Sequence, residues 1–148
     1  MLQVGQPAPD FTLTTTSGAS FRLADQRGRH LILYFYPKDD TPGCTAQACN
    51  LRDNEAQLAA QGIKVVGVST DNAASHGKFA QKYDLAFPLV ADADKAIVQA
   101  YGVWQEKKNY GKTYWGTVRT TFLLDENGVI TRVIKRPDTK EHAAQLLK

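Results

Sequence analysis

The 148-residue sequence contains little cysteine and no long apolar stretch. Its two cysteines, Cys44 and Cys49, are too few for a disulfide-stapled secreted domain. The longest apolar runs, such as residues 31–36, are far shorter than the roughly 20 residues that span a bilayer, so we expect no membrane association. The N-terminus lacks the basic start and apolar segment of a secretory signal, which makes the cytoplasm the expected compartment.

Repeats, linkers and low-complexity segments are also missing, so residues 1–148 are expected to form one domain. The formal charge is only +3, and its basic residues are concentrated after Lys107. Nucleic-acid binding needs a denser basic patch, and we therefore expect none. The three histidines, His30, His76 and His142, show no metal-ligand spacing, and no Gly-x-Gly-x-x-Gly follows a strand. Hence we predict neither a metal nor a flavin or haem cofactor.

β-rich runs alternate with helical stretches along most of the chain. The predicted strands cover residues 31–36, 63–69, 87–90, 120–124 and 129–134, and the predicted helices cover 42–61, 73–83, 95–101 and 141–148. Residues 11–23 predict an N-terminal hairpin around Ser17 and Gly18, whereas the Gly- and Lys-rich residues 102–117 predict a loop. This order indicates an α/β fold with a central mixed sheet flanked by helices, compatible with a thioredoxin-like fold.

The turn between the predicted strand 31–36 and the predicted helix 42–61 places a cysteine at the start of that helix. Thr41 is a good N-cap residue, and Pro42 suits the first helical position. Cys44 then falls in the first turn, near unpaired backbone N–H groups and the positive end of the helix dipole. This setting stabilises a thiolate, which is the nucleophilic form of cysteine. The alternative is that Cys44 is a small buried packing residue.

Cys49 follows Cys44 by five residues on the same predicted helix. Ideal helical geometry separates their side chains by about 140° and their Cα atoms by roughly 8.5 Å. A disulfide needs a Cα–Cα distance of about 4.4–6.8 Å, so a bond between them requires at least one helical turn to unwind. Cys49 could otherwise be an ordinary packed residue of the helix.

Four segments together resemble the peroxiredoxin family. Pro37, Thr41 and Cys44 fit its Pro-x-x-x-Thr-x-x-Cys pattern. The segments Ala-Pro-Asp-Phe-Thr-Leu at 8–13, Gly-Val-Ser-Thr-Asp at 67–71 and Arg-Thr-Thr-Phe at 119–122 match in order and type. A Cys-x4-Cys spacing on one helix is similar to the bacterioferritin-comigratory-protein or PrxQ-type subgroup. The resemblance extends over nearly the whole chain.

The resemblance implies a role for each candidate site residue. Cys44 would be the peroxidatic thiolate, and Thr41 would hold the peroxide in line. Arg119 would stabilise the thiolate and the leaving oxygen, although an arginine at a strand start is more often a surface residue. Pro37 would shield the pocket. Cys49 would convert the sulfenic acid into an intrachain disulfide.

The same resemblance implies the partners of such an enzyme. Hydrogen peroxide and alkyl hydroperoxides would be the substrates, and thioredoxin or a similar dithiol would be the reductant. An intrachain disulfide needs no second subunit, so a monomer is expected. The rim that selects the hydroperoxide could include several aromatic residues, namely Tyr36, Trp104, Tyr110, Tyr114 and Trp115.

Other functions are less consistent with the sequence. A thiol–disulfide oxidoreductase without peroxidase activity would usually carry Cys-x-x-Cys, and here the spacing is Cys-x4-Cys. A small metal-binding module would need grouped ligands, which the scattered histidines do not provide. A purely structural role would leave the turn before Cys44 unexplained.

Overall fold

A computed structural model describes residues 1–16 and 18–146 of the chain. Fourteen helices and strands are defined in this part of the sequence. They are β1 (Thr12–Thr14), β2 (Ser20–Arg22), β3 (His30–Phe35), α1 (Pro42–Asp53), α2 (Glu55–Ala60), β4 (Ile63–Ser69), α3 (Ala73–Tyr83), β5 (Leu89–Ala91), α4 (Ala96–Ala100), β6 (Trp104–Asn109), β7 (Lys112–Thr117), β8 (Thr120–Leu124), β9 (Ile130–Lys135) and α5 (His142–Leu146). A short 3-10 helix, Leu23–Gln26, follows β2.

A five-stranded sheet in the order β5-β4-β3-β8-β9 forms the centre of the molecule. β3 runs parallel to β4 and antiparallel to β8, and β4 runs parallel to β5. The prediction of a central mixed sheet flanked by helices is therefore confirmed. The N-terminal hairpin is confirmed as well, since β1 pairs antiparallel with β2. Of its predicted turn residues, Ser17 lies outside the described residues.

After His30, β3 is apolar and buried, because both faces of the sheet are covered. Leu33 and Phe35 face one hydrophobic cluster, which also contains Phe122 and Tyr101. Tyr34 and the following Tyr36 belong to the other cluster. The second cluster is the one that α1 packs against, through a buried face made by Cys44, Gln47, Ala48 and Leu51. The strand therefore ends directly beneath the helix that carries both cysteines.

Two predicted elements differ from the structure. The helix predicted for residues 42–61 is interrupted at Asn54, whose φ of −111° and ψ of 10° are not helical. The loop predicted for residues 102–117 was wrong, because β6 and β7 pair there as an antiparallel hairpin. Its turn has positive φ at Tyr110 (50°) and Gly111 (77°), as two-residue hairpin turns require.

The hairpin escaped prediction for a physical reason. Most of β7 is exposed, so its sequence shows no alternation between apolar and polar residues. Among the residues that the structure describes, no helix has the length and apolar character needed to cross a membrane.

Candidate active site

The turn between β3 and α1 positions Cys44 at the third residue of the helix. Thr41 is the N-cap residue and Pro42 the first helical residue, as predicted. The Thr41 hydroxyl, however, donates to the Lys38 carbonyl (3.0 Å), and within the described residues it makes no capping bond to the helix. The predicted N-cap position of Thr41 is thus confirmed, but its side chain makes no capping bond. Cys44 is 1% exposed, so its thiol lies in a nearly closed site.

The Arg119 side chain contacts the Cys44 thiol. Its Nη2 lies 3.3 Å from Cys44 Sγ. The residue directly precedes β8, and the antiparallel register opposes Phe35 to Thr120, so Arg119 emerges beside the end of β3. Rather than extending as a surface side chain, this arginine is half-buried and turned towards Cys44. A guanidinium at this distance stabilises negative charge on the sulfur.

Gln47 is a site residue that the sequence reasoning missed. Its Oε1 accepts a hydrogen bond from Arg119 Nη1 at 2.6 Å, and the side chain is fully buried. Gln47 follows Cys44 by three residues, which places both on one face of α1. This spacing could have indicated that Gln47 lies near Cys44, but it does not reveal that Gln47 binds an arginine 72 positions away. Gln47 holds one guanidinium nitrogen, and this leaves the other directed at the sulfur.

Gly43 makes room for the guanidinium. A Cβ at this position would lie 3.1 Å from Arg119 Nη2, which is closer than ordinary van der Waals contact. A larger residue at position 43 would therefore displace Arg119. The N–H groups of Gly43 and Cys44 belong to the first helical turn, where no intrahelical carbonyl is available to accept them.

Cys49 lies on the same helix as Cys44 but faces differently. It is partly exposed, whereas Cys44 is buried, and both cysteines are free thiols. The intact helix holds their Cα atoms roughly 8.5 Å apart by ideal geometry, beyond the reach of a disulfide. Pro37 follows β3 by two residues and is half-buried at the start of the turn.

The charges around Cys44 perturb neighbouring groups. Burial raises the pKa of the Tyr34 phenol well above its ordinary value, and negative charge on Cys44 and Asp39 raises it further. The Tyr34 hydroxyl is buried without a hydrogen-bond partner among the described residues. Burial lowers the pKa of Lys107, and the charge of Arg119 contributes to that decrease. Lys107 Nζ donates to the Thr117 carbonyl at 3.0 Å, near the base of the β6–β7 hairpin.

The aromatic residues predicted for a substrate rim differ in their exposure. Tyr36 is buried in the core at 1% exposure, and its hydroxyl donates to Asp39. Trp104 is half-buried beneath Lys95, whose Nζ lies 5.6 Å from the ring centre. Three others are exposed on the β6–β7 hairpin, namely Tyr110, Tyr114 and Trp115. Tyr36 is therefore a core residue, and a rim made by the other four stays a prediction.

Comparison with known proteins agrees with this arrangement. The model of the AhpC/TSA family matches residues 4–133. The putative peroxiredoxin bcp of Coxiella burnetii is 47% identical over 99% of this chain and 97% of its own length. The crystal structure of a PrxQ mutant of Xylella fastidiosa has a TM-score of 0.93 at 30% identity, covering 99% of this chain and 94% of that one.

A second solved relative is the bacterioferritin comigratory protein of Xanthomonas campestris, in a structure described as giving insight into its alkyl peroxide reduction activity. It has a TM-score of 0.87 at 36% identity and covers 93% of this chain and 87% of that one. Both the sequence and the fold thus match over nearly the full chain. The chain belongs to the AhpC/TSA family and, within it, to the thiol peroxidases of the Bcp and PrxQ peroxiredoxin group.

Proposed function

We propose that the chain reduces hydrogen peroxide and alkyl hydroperoxides through a thiolate at Cys44. The observation that carries this proposal is the 3.3 Å contact between Arg119 Nη2 and Cys44 Sγ in the first turn of α1. A cation and a helix N-terminus both favour the anionic form of a nearly buried thiol. The relative from Xanthomonas campestris, for which alkyl peroxide reduction is described, supports the same substrate class.

In the first step the thiolate attacks one peroxide oxygen. An S–O bond forms, the O–O bond breaks, and water or an alcohol leaves after taking up a proton, so that Cys44 becomes a sulfenic acid. Arg119 stabilises the negative charge on the leaving oxygen, and Gln47 keeps the guanidinium oriented. The N–H groups of Gly43 and Cys44 can add further donors.

Two other residues shape the pocket in this proposal. The Thr41 hydroxyl gives its proton to the Lys38 carbonyl, so its oxygen lone pairs remain available to accept a bond from a peroxide O–H. This contact would align the peroxide with the attacking sulfur. Pro37 would shield the pocket from water at the end of β3.

In the second step the Cys49 thiol condenses with the sulfenic acid. A disulfide forms between Cys44 and Cys49 and water is released, after which thioredoxin or a similar dithiol reduces the disulfide. The partial exposure of Cys49 supports this role, since a resolving thiol must be able to move. We propose a monomer, because the bond lies within one chain, and the cytoplasm, because such a cycle needs a supply of reduced dithiol. The dithiol supplies the electrons, and the proposal involves no metal or cofactor.

The test is peroxide consumption coupled to a thioredoxin system, measured for the native chain and for Cys44→Ser. The native chain should turn over many equivalents of peroxide, and Cys44→Ser should give only the background rate. Cys49→Ser serves as the matched comparison, since it keeps the attacking thiol and should still consume about one equivalent of peroxide before it stalls, whereas Cys44→Ser should consume none. Substantial turnover by Cys44→Ser would overturn the proposal.

A further inference from the structure

A buried hydrogen-bond network lies behind the turn that carries Cys44. The Asp39 carboxylate accepts three hydrogen bonds, from the Tyr36 hydroxyl (2.6 Å), the Ser75 hydroxyl (2.8 Å) and Nδ1 of His76 (2.7 Å). Asp39 is 8% exposed and His76 is fully buried. A buried carboxylate with three donors is a strongly satisfied group, so this part of the turn has one well-defined arrangement.

His76 connects the turn to two further elements. It lies on α3, and its Nε2 is 3.0 Å from the Val90 carbonyl in β5. Because a carbonyl oxygen only accepts, Nε2 must carry a proton. Nδ1 lies 2.7 Å from the Asp39 carboxylate. The Asp39–His76 pair is thus fully hydrogen-bonded on both sides of the ring.

The backbone of the turn is held from β4 as well. The amide N–H of Asp39 donates to Asp71 Oδ2 at 2.8 Å, and the Ser69 hydroxyl donates to the same oxygen at 2.7 Å. Asp39, Asp71 and His76 have their polar atoms within 4.8 Å of one another, a grouping that could suggest a metal site. Each of them is already engaged in hydrogen bonds of this network, so we assign the group to the turn instead.

The next residue shows that the turn needs such support. Asp40 has a φ of 58°, in the left-handed region that residues other than glycine adopt uncommonly. Its carboxylate accepts from Lys82 Nζ (2.8 Å) and from the Tyr83 hydroxyl (2.7 Å), both at the end of α3. The turn is therefore tied to α3 at its buried side by Asp39 and at its exposed side by Asp40.

We propose that His76 is a positioning residue for the reaction of Cys44. Through Asp39 it holds the turn in the conformation that directs Thr41 and Cys44 towards Arg119. The inference rests on the proposed peroxidase function. A displacement of about 1 Å in a reacting group can cost up to about 10²-fold in rate, so loss of this tie should be visible in the attack step.

The experiment is a rapid-mixing measurement of a single oxidation of Cys44 by hydrogen peroxide in the full chain. It yields a rate constant and an amplitude, and thermal unfolding gives the stability of each variant. His76→Ala should lower the rate constant by roughly 10- to 100-fold in the molecules that react. His76→Asn keeps a hydrogen-bond donor for Asp39 but loses the bond to the Val90 carbonyl. Compared with His76→Ala, it should therefore recover most of the rate constant without recovering stability.

His142→Ala is the matched control, because His142 is also fully buried, and its hydrogen bonds go to Thr121 and Gln145 rather than to the turn. It should lose stability and amplitude but keep the native rate constant. Asp39→Ala should slow the reaction at least as much as His76→Ala. If His76 acts through Asp39, the double variant should be no slower than Asp39→Ala alone.

Three outcomes would overturn the inference: a His76→Ala rate constant within two-fold of native, an equal decrease in His142→Ala, or additive effects in the double variant. Absence of peroxide consumption by the native chain would instead refute the proposed function, and the two failures are therefore distinguishable. Should His76→Ala fail to fold, His76→Asn and Asp39→Ala carry the same test.

Discussion

Forming the Cys44–Cys49 disulfide should open the N-terminal part of α1. The two Cα atoms are roughly 8.5 Å apart on an intact helix, and a disulfide tolerates at most about 6.8 Å. At least one turn between the cysteines must therefore unwind when they are oxidised. The first turns of a helix are a low-stability unit, so they can open without global unfolding.

The contacts that break set the energetic cost of this opening. Unwinding separates Arg119 from Cys44 and from Gln47, and hydrogen bonds to charged groups contribute about 1.5–3 kcal/mol each. It also exposes the fully buried methyl group of Ala48, worth about 1 kcal/mol. The total is roughly 4–7 kcal/mol, and it raises the free energy of the oxidised form alone.

This cost makes the disulfide easier to reduce. About 1.4 kcal/mol corresponds to 30 mV for a two-electron couple, so the reduction potential should rise by roughly 90–150 mV. Structural disulfides lie below about −300 mV, which gives an expected value near −200 mV. Thioredoxin, at about −270 mV, can then donate electrons to it favourably.

Amide hydrogen exchange on the reduced and oxidised protein tests the opening. The amides of residues 45–49, of which Thr45 is the first to donate to a carbonyl of the helix start, should lose protection on oxidation. α3 (Ala73–Tyr83), which contains no cysteine, should exchange equally in both states and serves as the internal control. A thiol–disulfide titration gives the potential. The reasoning is wrong if residues 45–49 stay protected while mass spectrometry confirms the bond, or if the potential lies below about −300 mV.

Four further predictions concern single residues and the fate of Cys44. Cys49→Ser should consume about one equivalent of peroxide and then stall with thioredoxin, and steady turnover in a coupled assay would contradict its resolving role. Arg119→Ala should slow peroxide attack by roughly 10²–10³, measured by rapid mixing; a rate within a few-fold of native would exclude its catalytic role. Gln47→Ala should cost about 10-fold in the same assay, because it orients Arg119 through one hydrogen bond to a charged group, and an unchanged rate would leave Gln47 a packing residue. Excess peroxide should produce little sulfinic acid at Cys44 in the native chain and much more in Cys49→Ser, as mass spectrometry can measure.

Long segments with clear periodicity were predictable from the sequence. The predicted helix at 73–83 and strand at 63–69 coincide with α3 and β4. The break at Asn54 was not predictable, because the residues on both sides of it favour a helix and only the backbone angles separate α1 from α2. Local propensity decides what an element is, whereas packing decides where it ends.

Of the candidate site, the residues that are close in sequence were predictable, and the contacts between distant residues were not. Thr41, Cys44 and Cys49 lie within nine residues, so the start of one helix was enough to relate them. Arg119 is 75 positions from Cys44 and entered only through the family resemblance. The contact depends on the pairing register of β3 with β8, which the sequence does not reveal. The Asp39–His76 pair was missed for the same reason, because 37 positions separate the two residues.

The helix that carries both cysteines must be intact when Cys44 attacks the peroxide and open when Cys49 forms the disulfide. Its side-chain contacts allow both states. After residues 42–49, which must unwind, α1 is held by two side-chain hydrogen bonds. The Asn50 side chain accepts from the Ala143 amide, and Asn54 Nδ2 donates to the Asn50 carbonyl. The C-terminal half of α1 is therefore fixed. For residues 42–49, every side-chain hydrogen bond that the structure describes goes to Arg119. In the proposed cycle, attack converts the thiolate into a neutral sulfenic acid, which weakens the bond from Arg119 to the sulfur. The oxidation of Cys44 thus loosens the contact that holds this segment closed, so the first chemical step prepares the unwinding that the second requires.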